Sequence, residues 1–381
     1  MHMNPDIIKK MSKLRMIHMT KRDYNVDLFR ILATIFVIVL HVLGKGGILQ
    51  KSTPDGTIYW AAWFIEISAY CAVNCFALIS GYVMVNKTIK IKNIIGLWFQ
   101  VLFYSLLLTS LFFVFIPETR TIMNLVVAFL PIVGKQWWYI SSYFALFFFI
   151  PILNVAIGHI SKKTYEKFLI VVLIGICVID CVIPIDAFLF NDGYSTIWLI
   201  ILYLFGAYIK KYDLKRKVPA LNSILVFFAM ILLTFLSKLI IHFATKKIFG
   251  DVKLDNTFIS YTSITIVLAS IFMFLFCLNI KISHVSKRAI KFFSPTTLGV
   301  YLIHVHPLVF QYIMEDAFIS FSYKPLIVMV VCVFTATLAI FLLCSVIDLI
   351  RIQFFKLIKI DKLCEFIDNK VTRLCLKVFK E

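Results

Sequence analysis

The sequence predicts an all-α protein: a polytopic transmembrane helix bundle of about ten helices with both termini cytoplasmic. Hydrophobic residues make up 61% of the 381 and charged residues only 15%, whereas soluble domains carry about 25% charge. The mean hydropathy is +0.93. Several apolar runs approach the ~20 residues that a bilayer core demands, and the alternating ~10-residue segments of a membrane β-barrel do not occur. With 38 Phe against 13 Gly and 10 Pro, a disordered or collagen-like chain is excluded.

In order, the expected spans are 27–44, 59–85, 94–116, 137–158, 167–184, 195–209, 220–243, 259–280, 296–314 and 326–350. The stretch 195–209 is short for a bilayer, and 121–133 (TIMNLVVAFLPIV) reads as an extra interfacial or re-entrant helix. An even count places both ends on one side, and the charges choose which. With the N-terminus inside, 30 Lys and Arg fall in inner segments and 8 in outer loops, as the retention of basic residues in cytoplasmic loops requires. The net charge of +19 is thereby explained by the bilayer, and no nucleic-acid partner is expected.

The chain divides into a basic N-terminal segment (1–26), a membrane domain (27–350) and a terminal segment (351–381). In the last, Leu363, Ile367, Val371, Leu374 and Val378 form an apolar stripe at helical spacing. It predicts an amphipathic helix on the inner leaflet. The first helix follows a basic stretch as a secretory signal would. Arg30 and His41 interrupt it, however, and no A-x-A-like site follows, so it is expected to stay uncleaved. Seven of the nine Cys lie inside apolar segments and no C-x-x-C occurs. They read as small hydrophobes, and no metal is expected.

Ionisable groups inside spans are costly and by default functional. Those in question are Asp27, Arg30, His41, Glu66, Asp180, Lys238, His242, His304, His306 and Asp348. Lys238, His242 and Asp348 fall near span ends and are expected to snorkel to the interface. At 100° per residue, Arg30 and His41 are offset by about 20°, and Asp27 and His41 by about 40°. The three therefore share one stripe, with His41 about 16 Å beyond Arg30 along the axis. An imidazole titrating near neutrality is the usual general base. Glu66 and Asp180 fall at a comparable depth, and with Asp27 they are the candidate carboxylates to orient it. His304 lies near mid-membrane and is a candidate to face a substrate; Pro307 interrupts the helix ladder just beyond.

These stretches resemble a known family. DLFRILATIFVIVLH, with Asp27, Arg30 and His41, is similar to the signature of the acyltransferase-3 family of integral membrane acyltransferases. FALISGYVM (76–84) resembles its Ser-Gly-Tyr/Phe helix end, and WWYISSYFALFFFIPILN (137–154) its aromatic-Tyr segment running into a Pro. TLGVYLIHVHP (297–307) resembles its late Tyr-x-x-His helix. The four occur in the family's order. The resemblance implies transfer of an acyl group, usually acetyl, from cytoplasmic acyl-coenzyme A to a hydroxyl of a lipid-linked or cell-envelope carbohydrate. It also implies a multi-pass protein of the bacterial plasma (inner) membrane, acetyl-CoA as donor substrate and no permanently bound cofactor.

By the same resemblance His41 is the catalytic base and Arg30 its catalytic or donor-side partner. Apart from the resemblance, Trp138, Tyr139, Tyr301 and His304 are candidate substrate contacts, with Trp138 and Tyr139, at a span end, equally readable as interfacial anchors. Relatives often carry Arg in the loop after Ser-Gly-Tyr, where this chain offers Lys87, Lys90 and Lys92. Lysine meets coenzyme A phosphates as a point charge, without bidentate geometry. No G-x-S-x-G elbow surrounds Ser80, so Ser80 and Gly81 read as packing residues. The competing class is a transporter or flippase for a lipid-linked glycan or small anion. It predicts repeat symmetry, and none is present in the sequence.

Overall fold

The computed structural model describes residues 22–378 apart from 89, 184, 185 and 187, with side chains through Arg373. The basic segment 1–26 therefore lies almost wholly outside the described residues, as do the side chains of Leu374 and Val378. Every regular element among those described is helical. The longer ones are α1 (Tyr24–Leu43), α2 (Thr57–Ala69), α3 (Ala72–Met84), α4 (Ile91–Phe115), α5 (Ile122–Phe129), α6 (Trp138–His159), α7 (Lys162–Ile170) and α8 (Cys177–Val182). They continue with α9 (Thr196–Lys211), α10 (Ala220–Phe249), α11 (Ile264–Asn279), α12 (His284–Phe293), α13 (Thr297–His304), α14 (Leu326–Leu357) and α15 (Ile360–Val378).

Each of the ten expected spans corresponds to helix, but not all are of membrane length. Six continuous or nearly continuous helices are long and apolar enough to cross: 24–51, 57–84, 91–115, 138–159, 220–249 and 326–357. A seventh is the pair 284–304 and 307–314, bent by 64°. Helices α9 and α11 have 16 residues each, about 24 Å against a ~30 Å hydrocarbon core. A π-helical stretch, Val171–Ile176, joins α7 to α8. The 121–133 stretch is the eight-residue α5. Outward-facing Phe115, Ile122, Phe148 and Leu343 are exposed, as a lipid-solvated surface allows.

Two helix ends anchor α1. Asp23 caps its first turn by accepting from the N–H groups of Asn25 and Val26. The Asn25 amide then donates to the carbonyls of Cys277 and Ile280, at 2.6 and 2.9 Å, closing the end of α11. Phe29 stacks on Phe274 of α11 with centroids 4.7 Å apart. Helices α3 and α9 meet backbone to backbone: a Cβ on Gly81 would come within 1.9 Å of the Tyr203 carbonyl, and one on Gly206 within 2.0 Å of the Leu78 carbonyl. This is the small-residue packing that membrane helices use in place of a hydrophobic drive.

Three residues expected to snorkel are instead buried. Lys238 is 1% exposed; its ammonium donates to Asp255 at 2.7 Å and Asn256 at 2.8 Å, and lies 3.7 Å from the Trp63 ring centroid. His242 is held between Asp255 (3.1 Å) and Asp55 (2.6 Å), and Lys246 also pairs with Asp55. Asp348 is closed off by Arg351 at 2.8–2.9 Å and the Tyr104 hydroxyl at 2.7 Å. Partners on loops and neighbouring helices replace the water that snorkelling would have sought. The α15 helix packs on α4. Cys364 is buried there, close to Gly96, and Glu365 is paired to Lys92 at 2.9 Å. The eight described cysteines are free.

Candidate active site

A cavity of about 820 Å³ lies between the two halves of the core. Arg30, Lys87, Thr88 and Asn93 line one end; His41, Tyr139, Tyr143 and Tyr301 line its walls; Lys45, Trp138, Tyr194 and Tyr261 also border it. Arg30 and His41 both face this cavity, as one helical stripe of α1 must. Its charged lining residues are Arg30, Lys45 and Lys87, all cationic.

His41 occupies the last turn of α1. Its Nδ1 lies 3.1 Å from Nε2 of His304, and the ring edge meets Phe310, with centroids 4.8 Å apart. Nδ1 of His304 lies 2.6 Å from the carbonyl of Val300, one turn back. A carbonyl only accepts, so with both rings neutral the chain of bonds assigns every proton. His304 Nδ1–H donates to Val300, and His304 Nε2 accepts from His41 Nδ1–H. The lone pair of His41 therefore sits on Nε2, which has no hydrogen-bond partner among the described residues, and His41 borders the cavity. This is the tautomer a general base needs.

Pro307 creates the arrangement. It cannot continue the ladder, so α13 stops at His304 and the chain turns by 64°, leaving His304 at a helix end against α1. His306, two residues on, is spent structurally: Nδ1 accepts from the N–H of Leu308 at 3.3 Å, and Nε2 lies 2.7 Å from the Gln136 amide.

The expected carboxylate partners of His41 are elsewhere. Asp27 is buried and pairs with Arg30 at 2.8 Å and Arg22 at 2.5 Å; it orients guanidinium groups rather than the imidazole. Glu66 is buried near Tyr70, Tyr194 and Tyr261, with Oε2 unpartnered. Asp180 lies beside Thr262 and does not line the cavity. His304 backs His41 and is not among the residues that line the cavity. Trp138, Tyr139 and Tyr301 do line it, and the hydroxyls of Tyr139 and Tyr301 have no partner.

Of the loop lysines, Lys87 borders the cavity, Lys90 is exposed, and Lys92 is engaged by Glu365. That pair pulls the Glu365 carboxyl below its ordinary value, chiefly through its hydrogen bond with Lys92. Ser80 lines the cavity while its hydroxyl donates back to the Phe76 carbonyl at 2.9 Å. Lys45, Tyr143, Tyr194 and Tyr261 were not singled out from the sequence; Lys45, Tyr194 and Tyr261 sit at a helix end or in loops where periodicity gives no signal, and Tyr143 lies within α6. Among the described residues no group of three or more His, Cys, Asp or Glu is placed to hold a metal ion.

The family model described as an acyltransferase domain, Acyl_transf_3, matches residues 23–346. The chain belongs to the acyltransferase-3 family. No curated protein and no solved structure matches it. Membership makes it an acyltransferase built from membrane-length helices, and the matched region contains every residue lining the cavity. The α15 helix lies beyond the match.

Proposed function

We propose that this chain is a multi-pass O-acetyltransferase of the bacterial inner membrane. It moves an acetyl group from acetyl-CoA to a hydroxyl of a lipid-linked or cell-surface carbohydrate, with His41 as general base. The observation that carries the reading is His41, its Nε2 without a partner among the described residues, bordering a cavity whose charged lining residues are Arg30 (paired to Asp27), Lys45 (paired to Glu315) and Lys87. An anionic donor suits such a lining.

In this reading the coenzyme A phosphates rest near Arg30 and Lys87, and the pantetheine arm extends toward His41. The acceptor hydroxyl gives its proton to His41 Nε2 as its oxygen attacks the thioester carbonyl. The imidazolium that forms shares its Nδ1 proton with His304, whose own ring is polarised by the Val300 carbonyl. Tyr139 and Tyr301 line the cavity with hydroxyls that have no partner but are enclosed; turned into the cavity, either would donate to the tetrahedral oxyanion. Collapse expels the thiolate, which takes the proton back from His41.

The test uses the purified full chain in lipid nanodiscs with radiolabelled acetyl-CoA, and mass spectrometry of surface glycans after deletion of the gene. Label transferred to carbohydrate by the wild type and not by His41→Ala, together with loss of acetyl increments from glycan in the deletion strain, is the expected result. Equal transfer by a folded His41→Ala variant overturns the assignment.

A further inference from the structure

The loop leading into α9 is held in an unfavourable backbone conformation. Leu189, Asn191 and Asp192 have φ of 56°, 49° and 53°, followed by Gly193 at 94°. Left-handed backbone at three non-glycine residues persists only where the surroundings over-determine it, and such strain gathers at functional sites. Here the Asp186 carboxylate accepts from the N–H groups of Phe190 and Asn191, at 2.6 and 2.9 Å. The Ser260 hydroxyl donates to the Asp192 carbonyl at 3.3 Å. Gly193 lies so close to Tyr261 that a Cβ would come within 2.5 Å of the Tyr261 Cβ.

The outcome of this clamping is the position of one ring. Tyr194 lies 4.5 Å from Trp138 and 5.2 Å from Tyr261, centroid to centroid, and Tyr70 backs Tyr261 at 4.9 Å. Trp138, Tyr194 and Tyr261 all border the cavity that His41 borders, and Tyr194 is 39% exposed. Three separate stretches of chain thus converge on one aromatic wall.

We propose that Trp138 and Tyr194, backed by the buried Tyr261, form a stacking platform for a pyranose ring of the acceptor. The inference rests on the acyl-transfer reading above and names the residues that select the acceptor within it. A pyranose has an apolar C–H face and a polar rim; aromatic rings bearing phenol and indole handles match both. Because the cavity lining holds cations and no carboxylate among the described residues, the platform favours a neutral or acidic sugar over one carrying a free ammonium group.

The test measures acetyl transfer from acetyl-CoA by the full chain in nanodiscs to a panel of p-nitrophenyl pyranosides, with glycerol as the ringless acceptor. Tyr194→Ala raises the pyranoside KM about tenfold, and Tyr194→Phe moves it less than about twofold. The acetyl-CoA KM and the weak use of glycerol do not follow the substitution. Trp138→Leu, on a regular helix, gives the same split and serves if Tyr194→Ala does not accumulate. An unchanged pyranoside KM in Tyr194→Ala overturns the platform. So does an equal rise with Tyr194→Phe, or a parallel rise in the acetyl-CoA KM. Failure of the wild type to acetylate any pyranoside while it consumes acetyl-CoA is a different result: it removes the carbohydrate acceptor itself, and the platform with it.

Discussion

Nδ1 of His41 and Nε2 of His304 are 3.1 Å apart across a contact between residues 263 positions distant in the chain. The base proposed here is thus oriented by a second imidazole and a backbone carbonyl, with no carboxylate bonded to either ring. Removing the second ring should free His41 to adopt either tautomer. His304→Ala is expected to lower kcat about 100-fold, within the span of general-base effects, with little change in the acetyl-CoA KM. His304→Gln keeps an amide oxygen to accept from Nδ1–H and should recover much of the loss. Steady-state kinetics on the two variants separate positioning from a packing role, since packing alone predicts no such rescue.

Arg30 is held by Asp27 at 2.8 Å while it borders the cavity. Loss of a charge-assisted contact to a phosphate amounts to about tenfold or more in affinity. Arg30→Ala should therefore raise the acetyl-CoA KM by that factor, and Asp27→Asn should do so more weakly by releasing the guanidinium. Arg30→Lys keeps the charge but loses the fork, and should fall between. An acetyl-CoA KM unaltered in Arg30→Ala would return Arg30 to a purely topological role.

Tyr301→Phe removes one of the two unpartnered hydroxyls bordering the site. If that hydroxyl meets the oxyanion, kcat falls about 100-fold while both KM values hold. Pre-steady-state acetyl transfer in single turnover reads the chemical step directly, and an unchanged rate assigns the oxyanion to another donor.

What was legible in the sequence follows from which forces are local. The all-helical membrane class and the helix positions were, because apolar run and periodicity are local, though only six or seven helices reach membrane length; so was the shared stripe of Arg30 and His41, which needs only helical periodicity. The partner of His41 was not, because it depends on a bend at Pro307 and on which helix α13 meets. Glu66 and Asp180 had suitable depth, yet depth does not tell azimuth, and both turn away from His41. Lys238 and His242 looked like interface residues because their partners, Asp55 and Asp255, stand on loops with no periodic signal. Tyr194 was invisible for the same reason.

That loop-borne cluster leads to a prediction about stability in acid. The Lys246 hydrogen bond, opposed by partial desolvation and aided by His242, keeps the Asp55 carboxyl below its ordinary 3.8. At Asp255, burial pushes upward, but the bonds from Lys238 and His242 outweigh it and the result is again a lowered value. A depressed carboxylate stabilises the fold above its unfolded pKa, and that contribution is lost as the pH falls through the folded value. Asp55→Asn should therefore lower the unfolding temperature at pH 7, and the gap to wild type should close below about pH 4. Lys238→Met leaves Asp255 without its buried cation and should cost about 3 kcal/mol. Calorimetry or thermal unfolding in detergent across pH checks both.

The α3–α9 contact offers a prediction about folding without chemistry. Gly81 and Gly206 permit approaches that a methyl group would bring to 1.9 and 2.0 Å from opposing carbonyls. These are backbone atoms and cannot rotate aside, so relief requires the helices to separate. Overpacking of a rigid contact costs about 1–3 kcal/mol, and here both helices contribute to one core cluster with Trp198 and Tyr203. Gly81→Ala and Gly206→Ala should each reduce the yield of monodisperse protein and lower its unfolding temperature. Since Ser80 and Tyr143 border the cavity beside this seam, whatever protein folds should also show a raised KM for both substrates. Unaltered melting and kinetics in Gly81→Ala would show that the helices can part without consequence, and that the close contact is not what positions the cavity wall.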